Sequence, residues 1–335
     1  MLHEASYQHW IGARTSIWRR RATIASNGLK GCLKSRWLRR VLVGCWGAAL
    51  VQASVLFFIG QLLVPDSFVA QSQEHFSSPM QGILQGLVSW LKDHPEVSVR
   101  VTQDFLFYQL SGFLLLFTML AIGLAIPHLI TRDLSSKAIV IYSSKAISRW
   151  DYILGKLGTM LGLLSLTWLG PVCFAWLLGN LLAPHWNFFW HSRLALIHAL
   201  GFAMCGAVVL SAMALGVSAI SGREKVTVTA WLGLWLLGRV FTSVSREVLD
   251  SPALRWLQHL STTFNLGEIN SAIFRLRDDL KLAEDNIPMF GNLLRGVTRQ
   301  TMATVENPEF WGGFVGLAVM ASLAAIVVAW RVKPE

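Results

Sequence analysis

The sequence predicts an all-helical integral membrane protein with six membrane-spanning helices, an N-terminal interfacial helix, and external helices between spans five and six. Of its 335 residues, 53% are hydrophobic and only 14% are charged, and the mean hydropathy is +0.49. Such a chain is too apolar for an ordinary soluble fold. Six apolar runs also reach the roughly 20 residues that a helix needs to cross about 30 Å of hydrocarbon.

Each apolar run is predicted to be a helix, because lipid offers no partner to unpaired backbone groups and the strands of a membrane barrel are shorter and alternate in polarity. The runs are Val41–Val64, Phe105–Ile130, Leu157–Ala183, Leu194–Ile220, Val226–Ser245 and Trp311–Trp330. They divide the chain into spans one to five within residues 41–245 and a sixth span with a short tail within residues 311–335.

Residues 1–40 form the basic N-terminal segment. They contain nine Lys or Arg and one Glu, which supplies +8 of the formal charge of +10. These cations stop where the first apolar run begins, so membrane lipids are the predicted partner and nucleic acid is not. Trp10, Trp18 and Trp37 are interspersed among them, which is typical of a helix lying in the membrane interface. The basic stretch is too long for a cleaved signal peptide.

The distribution of basic residues predicts the orientation. Loop 131–156 holds five Lys or Arg and the turn Ser221–Lys225 holds two, whereas loop 184–193 holds one and loop 65–104 holds two. Basic residues favour the cytoplasmic side. We therefore expect both termini to be cytoplasmic, and we expect the bacterial inner membrane as the location.

Two outer segments are predicted to contain helices. Gly82–Leu91 has apolar residues on one helical face. Segment 246–310 has helix-start signals at Ser251, which precedes a proline, and at Asn265, which has Glu268 three residues later. Two or three external helices are expected there, forming a cap.

The sequence contains few motifs typical of nucleotide binding, hydrolysis or metal binding. Gly155-Lys156 is the nearest approach to a P-loop, but Trp150 and Leu157 occupy positions that require glycine and a hydroxyl. Neither G-x-S-x-G nor H-E-x-x-H occurs, and no cysteine or histidine spacing indicates a metal site. The prediction is a protein that is not an enzyme and holds no cofactor. A membrane-embedded enzyme remains the least favoured alternative.

Two polar residues lie within the predicted spans. Gln52 is midway along the first span, where it can form a hydrogen bond between helices or contact a substrate. Arg239 is about two thirds of the way across the fifth span, where it can extend to the interface or line a pathway.

The segment Ile126–Gly162 reads IPHLITRDLSSKAIVIYSSKAISRWDYILGKLGTMLG. It resembles the permease subunit of type-2 ABC transporters, in which an acidic residue after span two precedes a short helix, a serine and arginine, an aromatic residue, and a glycine-lysine pair entering span three. The matching residues are Asp133, Ser148, Arg149, Tyr152, Gly155 and Lys156.

The resemblance implies that loop 131–156, which also contains Lys137, Lys145 and Asp151, receives force from a partner ATPase. Arg149 and Asp151 offer charges for pairing with a soluble partner or with the neighbouring loop. It implies separate cytoplasmic ATPase subunits that bind ATP and Mg, a second permease copy or a homologous permease, and substrate export. Two alternatives are open. The cations of the loop can serve topology alone, or the protein can be a mechanotransmitter whose residues 251–283 act on an extracytoplasmic partner without moving cargo.

Overall fold

A computed structural model describes residues 16–61, 78–138, 148–183, 186–248, 252–286 and 310–332. Within these ranges the chain is almost entirely helical and contains no strand. Six of its helices are long and apolar enough to cross a membrane. The predicted all-helical class and the number of candidate spans are therefore confirmed.

The six candidate spans are accompanied by a separate N-terminal helix and by shorter helices at both ends of the bundle. In chain order the α-helices are α1 (Ile17–Leu33), α2 (Arg36–Gln61), α3 (Ser78–Asp93), α4 (Pro95–Ala125), α5 (Thr131–Ser135), α6 (Arg149–Leu164), α7 (Gly170–Leu181), α8 (Asn187–Ile220), α9 (Glu224–Val248), α10 (Thr262–Ile273), α11 (Leu276–Asn286) and α12 (Phe310–Arg331).

The second span begins earlier than its apolar run predicts. Helix α4 starts at Pro95, ten residues before Phe105, with proline at a position that needs no backbone N–H donor. The added turns carry polar side chains that are nevertheless buried, including Ser98 and Asp104. Hydropathy alone misses them, because they pack against other helices and do not face lipid.

Helices α6 and α7 form one span, joined by the π-helical turn Ser165–Leu169. Gly170 donates its N–H to the carbonyl of Ser165. Pro171 has no N–H to continue this pattern to Leu166. The indole of Trp46 on α2 donates to the Leu166 carbonyl instead, at 3.1 Å. A side chain on the first span thus satisfies a carbonyl that the backbone of the third cannot.

Helix α8 lies at the centre of the bundle, where it packs against α4, α6, α10 and α12. A row of fully buried alanines, Ala195, Ala199 and Ala203, recurs every four residues along it. Small residues at this spacing let neighbouring helix backbones approach closely. Further along α8, a Cβ on Gly216 would lie 2.6 Å from the Cβ of Ala324 on α12.

The described part of the segment between spans five and six, residues 252–286, is helical, but it does not simply cap the bundle. The 3₁₀ segment Pro252–Leu260 leads to α10, whose first residue Thr262 contacts the sulfur of Met320 at 3.4 Å. Met320 is at the middle of α12. A Cβ on Gly316 would also meet the Asn265 side chain at 2.6 Å. Helix α10 is therefore inserted among the spans.

The start of α10 also corrects a sequence-based expectation. Asn265 was expected to cap a helix, with Glu268 as its capping-box partner. The cap lies four residues earlier, at Ser261, whose hydroxyl accepts a hydrogen bond from the N–H of Phe264 at 3.3 Å. Asn265 instead bonds His259, donating to its carbonyl at 2.7 Å. The predicted cap at Ser251 lies outside the described residues.

Candidate functional site

The ends of several spans meet at one end of the bundle, together with α1. The Arg149 guanidinium, at the start of α6, donates to the Ala329 carbonyl near the end of α12. Arg331 donates to the carbonyl of Ile220, the last residue of α8, at 3.1 Å. We call this the basic end, because most of the lysines and arginines of the described chain lie there. The opposite end, which holds α3 and α11, is the far end.

Three of the sequence-predicted residues form one contact at the basic end. Asp133 on α5 accepts hydrogen bonds from the Tyr152 hydroxyl and from the Lys156 ammonium through its Oδ2 atom, each at 2.7 Å. Lys156 also donates to the His128 carbonyl at 3.3 Å. Tyr152 and Lys156 are four residues apart on one face of α6. The two ends of loop 131–156 are thereby joined by a largely buried ion pair.

The start of α6 is tied to α1 by a second ion pair. Ser148 is the N-cap of α6, accepting from the N–H of Asp151 at 3.1 Å. The Asp151 carboxylate in turn accepts from the Arg21 Nε at 2.7 Å. An acidic residue in the first turn of a helix is also favoured by the helix dipole. The sequence predicted that Asp151 pairs with a soluble partner or with the neighbouring loop, and in the structure its carboxylate pairs with Arg21 of α1.

Glycines bring α1 close to α6. A Cβ on Gly155 would lie 2.7 Å from Ile24, and one on Gly158 would lie 3.0 Å from the Cβ of Ala25. The Thr159 side chain likewise fills the space beside Gly28, 2.3 Å from where a Cβ would be. Gly155 was predicted to belong to the coupling motif. The structure shows a local reason for glycine, since no larger residue fits against α1.

Hydroxyl groups connect the end of α4 to α8 and α9. The Ser218 hydroxyl accepts from the N–H groups of Ile130 and Thr131, at 2.7 and 3.1 Å, and donates to the Ile126 carbonyl at 3.2 Å. Thr131 donates to the Ser218 carbonyl at 2.9 Å. These bonds satisfy backbone groups where the helix breaks. Sequence reasoning missed Ser218, because a single serine in an apolar run carries no motif.

The described carboxylates at the basic end are all engaged with cations. Asp133 binds Lys156, Asp151 binds Arg21, and Glu224 binds Arg132 at 2.7 Å. Many exposed cations remain beyond these three pairs. They are Arg19, Lys30, Lys34, Arg36, Arg39, Arg40, Lys137, Arg223 and Lys225. This surface therefore carries a strong excess of positive charge that the described chain does not balance.

The other predicted residues are dispersed. Lys137 is exposed and follows α5 with a positive φ of 55°. Lys145 lies outside the described residues. Gln52 is buried in α2, and its Nε2 has no hydrogen-bond partner within the described chain. Arg239 lies on the exposed face of α9. Neither Gln52 nor Arg239 lies at the basic end.

Within the described ranges, no group of three His, Cys, Asp or Glu side chains is arranged to hold a metal ion. Cys32 in α1 is buried, and burial raises the pKa of its thiol to about 11. A thiol with so high a pKa is a poor nucleophile at neutral pH. The interactions that the described groups of the basic end form are ion pairs and hydrogen bonds.

Neither the protein-family models nor the curated proteins compared with the chain give a match.

Proposed function

We propose that the chain is the permease subunit of an ABC transporter, which couples ATP hydrolysis by a separate ATPase subunit to export across the membrane. The observation that carries the proposal is the contact of Asp133 with Tyr152 and Lys156. These residues belong to the motif that resembles type-2 permeases, and they close the base of loop 131–156 into one unit. A loop with a fixed base can transmit a push to the spans that it connects.

The contacts around the loop favour such transmission. Arg21 and Ile24 attach α1 to α6, and Ser218 attaches the end of α4 to α8. A displacement at the loop would therefore be shared among α1, α4, α6 and α8 and not absorbed by one flexible linker. Packed helices respond to such a push by moving between discrete arrangements.

The excess of cations suits an acidic docking surface. Lys137 in the loop and Arg223 near it are exposed, and neither belongs to one of the three ion pairs. Complementary charge would steer and orient a soluble ATPase subunit, and ATP and Mg would be bound there. A second copy of the chain, or a homologous permease, would complete the transport pathway. The cargo classes that fit an exporter of this kind are lipid, glycan, peptide and drug.

The direct test is to purify the full chain with its candidate ATPase, encoded by a neighbouring gene, and to measure ATPase activity in lipid. Lys137→Glu combined with Arg223→Glu should weaken the association and reduce the ATPase stimulation. Lys281→Glu, an exposed lysine of the far-end helix α11, is the matched control and should change neither. The proposal fails if no ATPase associates with the wild-type chain, or if the basic-end variant stimulates as well as wild type.

One observation favours the mechanotransmitter alternative. Because α10 reaches the middle of α12 and continues directly into α11, a shift of the spans would also move α11 at the far end. Deleting residues 251–283 would remove buried packing and not merely a partner site. Reversing exposed charges on α11, with Lys281→Glu and Asp285→Lys, is the cleaner test. Loss of partner response with unchanged ATPase stimulation would support this alternative.

A further inference from the structure

A second group of charged residues lies at the far end, away from the coupling contacts. Asp104 on α4 is 2% exposed, and its Oδ1 is 3.1 Å from the Nδ1 of His198 on α8. The His198 ring packs edge-on against Phe274, with ring centroids 5.8 Å apart. Phe274 lies at the turn from α10 to α11, where Arg275 has a positive φ of 49°. Four helices therefore meet around one histidine.

Asp279 on α11 faces this group. It is 4% exposed, and its Oδ2 atom is buried without a hydrogen-bond partner. Arg100 and Asp104 on α4, His198 on α8 and Asp278 on α11 itself are the charged groups that act on it. Helix α10 also packs against α11, but its one charged residue, Glu268, lies against Gly313 of α12. A buried carboxylate oxygen without a partner is costly in its ionised form.

A proton on Asp279 would remove the charge from this buried carboxylate. Its Oδ2 atom, which is buried and has no partner in the described chain, is the place where such a proton would bind.

We propose that Asp279, beside the Asp104–His198 pair, is a proton-binding site that holds α11 against α4. The assignment is independent of the transport function proposed above. Burial and the neighbouring Asp104 raise the pKa of Asp279 to about 7. Because the pKa is raised in the folded state, the docked arrangement takes up the proton and is most stable at low pH. This stability is lost as the pH rises through about 7.

Infrared difference spectroscopy of the purified full-length protein tests proton binding directly. Wild type should show a protonated-carboxyl band at low pH that disappears as the pH rises through about 7. Asp279→Asn should lack this band. Asp278→Asn is the matched control, because it changes the adjacent but exposed carboxyl of the same helix, and it should retain the band. A band that persists in Asp279→Asn, or is absent from wild type, would overturn the proposal.

A second measurement covers the case in which Asp279→Asn does not assemble. The thermal midpoint of wild type and of Asp278→Asn should fall as the pH rises from about 5 to about 8, and that of Asp279→Asn should change less. A wild-type midpoint that is flat over this range contradicts the proposal.

Repeating the infrared titration with choline in place of sodium identifies the ligand. A proton site gives the same midpoint in both, whereas a midpoint that moves with sodium indicates a metal-cation site.

Discussion

Arg21 and Asp151 lie 130 residues apart in the chain, yet the Nε of one is 2.7 Å from the Oδ1 of the other. This contact fastens the N-terminal helix α1 to the start of the third span. It also limits how Asp151 can be tested for a role in docking a partner, since a charge reversal there would first release α1.

Neutralising this pair should lower the thermal midpoint of the protein in detergent. Arg21→Gln and Asp151→Asn should each lower it, and the double variant should lose less than the sum of the two, because both remove the same contact. The exposed pair Arg132–Glu224 has the same 2.7 Å distance and serves as the control. Its neutralisation should cost less than about 1 kcal/mol, as is usual for surface ion pairs. Strict additivity at Arg21 and Asp151 would show that the contact does not stabilise the fold.

Enlarging Gly155 should separate α1 from α6. Gly155→Val places a branched side chain where a Cβ alone would already be 2.7 Å from Ile24. Overpacking of this kind typically costs about 1–3 kcal/mol. Gly31→Ala on α1 is the matched control, since nothing lies within 4 Å of its Cβ position, and it should be neutral or stabilising. Unfolding in a mixed-detergent titration measures both. If Gly155→Val and Gly31→Ala are equally stable, α1 and α6 do not approach each other as closely as the structure shows.

Replacing Trp46 with phenylalanine should leave the Leu166 carbonyl without its donor. Phenylalanine keeps an aromatic ring at this position, so a loss of stability would come mainly from the missing indole N–H. An unsatisfied buried carbonyl costs about 1–3 kcal/mol. Trp37→Phe, at an exposed tryptophan of the same helix, should have little effect. The free energy of unfolding checks both variants, and a Trp46→Phe protein as stable as wild type would mean that another donor reaches the carbonyl.

Two of the three buried serines of α8, Ser218 and Ser211, should respond differently to alanine. Ser218→Ala removes the acceptor for the N–H groups of Ile130 and Thr131 and should cost about 1–3 kcal/mol. Ser211 is equally buried, but its hydroxyl has no partner in the described chain. Ser211→Ala should therefore be nearly neutral. The prediction is wrong if the order of the two unfolding free energies is reversed.

Composition and apolar run length were sufficient to predict the helical class and the number of candidate spans, because both follow from the bilayer acting as solvent. The helix boundaries were harder to predict from the sequence. Ser98 and Asp104 lengthen α4 beyond its apolar run, and their burial depends on helices that are distant in sequence. Contacts with distant parts of the chain also explain the wrong prediction at Asn265. Its spacing to Glu268 indicated a helix cap, but Ser261 is the cap in the structure.

The motif within Ile126–Gly162 contains Asp133, Tyr152 and Lys156. In the structure these three residues are in contact at the basic end. Their joint function remains a proposal. Arg21 and Ser218 were not predicted, for different reasons. Arg21 is one of nine cations in the first forty residues and has no distinguishing neighbour. Ser218 matters only through the backbone groups that a helix break leaves unpaired, and such breaks are not marked by a single residue type.

The insertion of α10 among the spans also has a consequence for how the protein is made. Asn265, Glu268 and Asn270 are too polar for α10 to enter lipid as an isolated segment. The burial of Asn265 and Glu268 requires α12, which is synthesised later, to provide the surface beside Gly313 and Gly316. Helix α10 must therefore stay outside the hydrocarbon until the last span arrives, so that assembly of the bundle is completed from its C-terminal end.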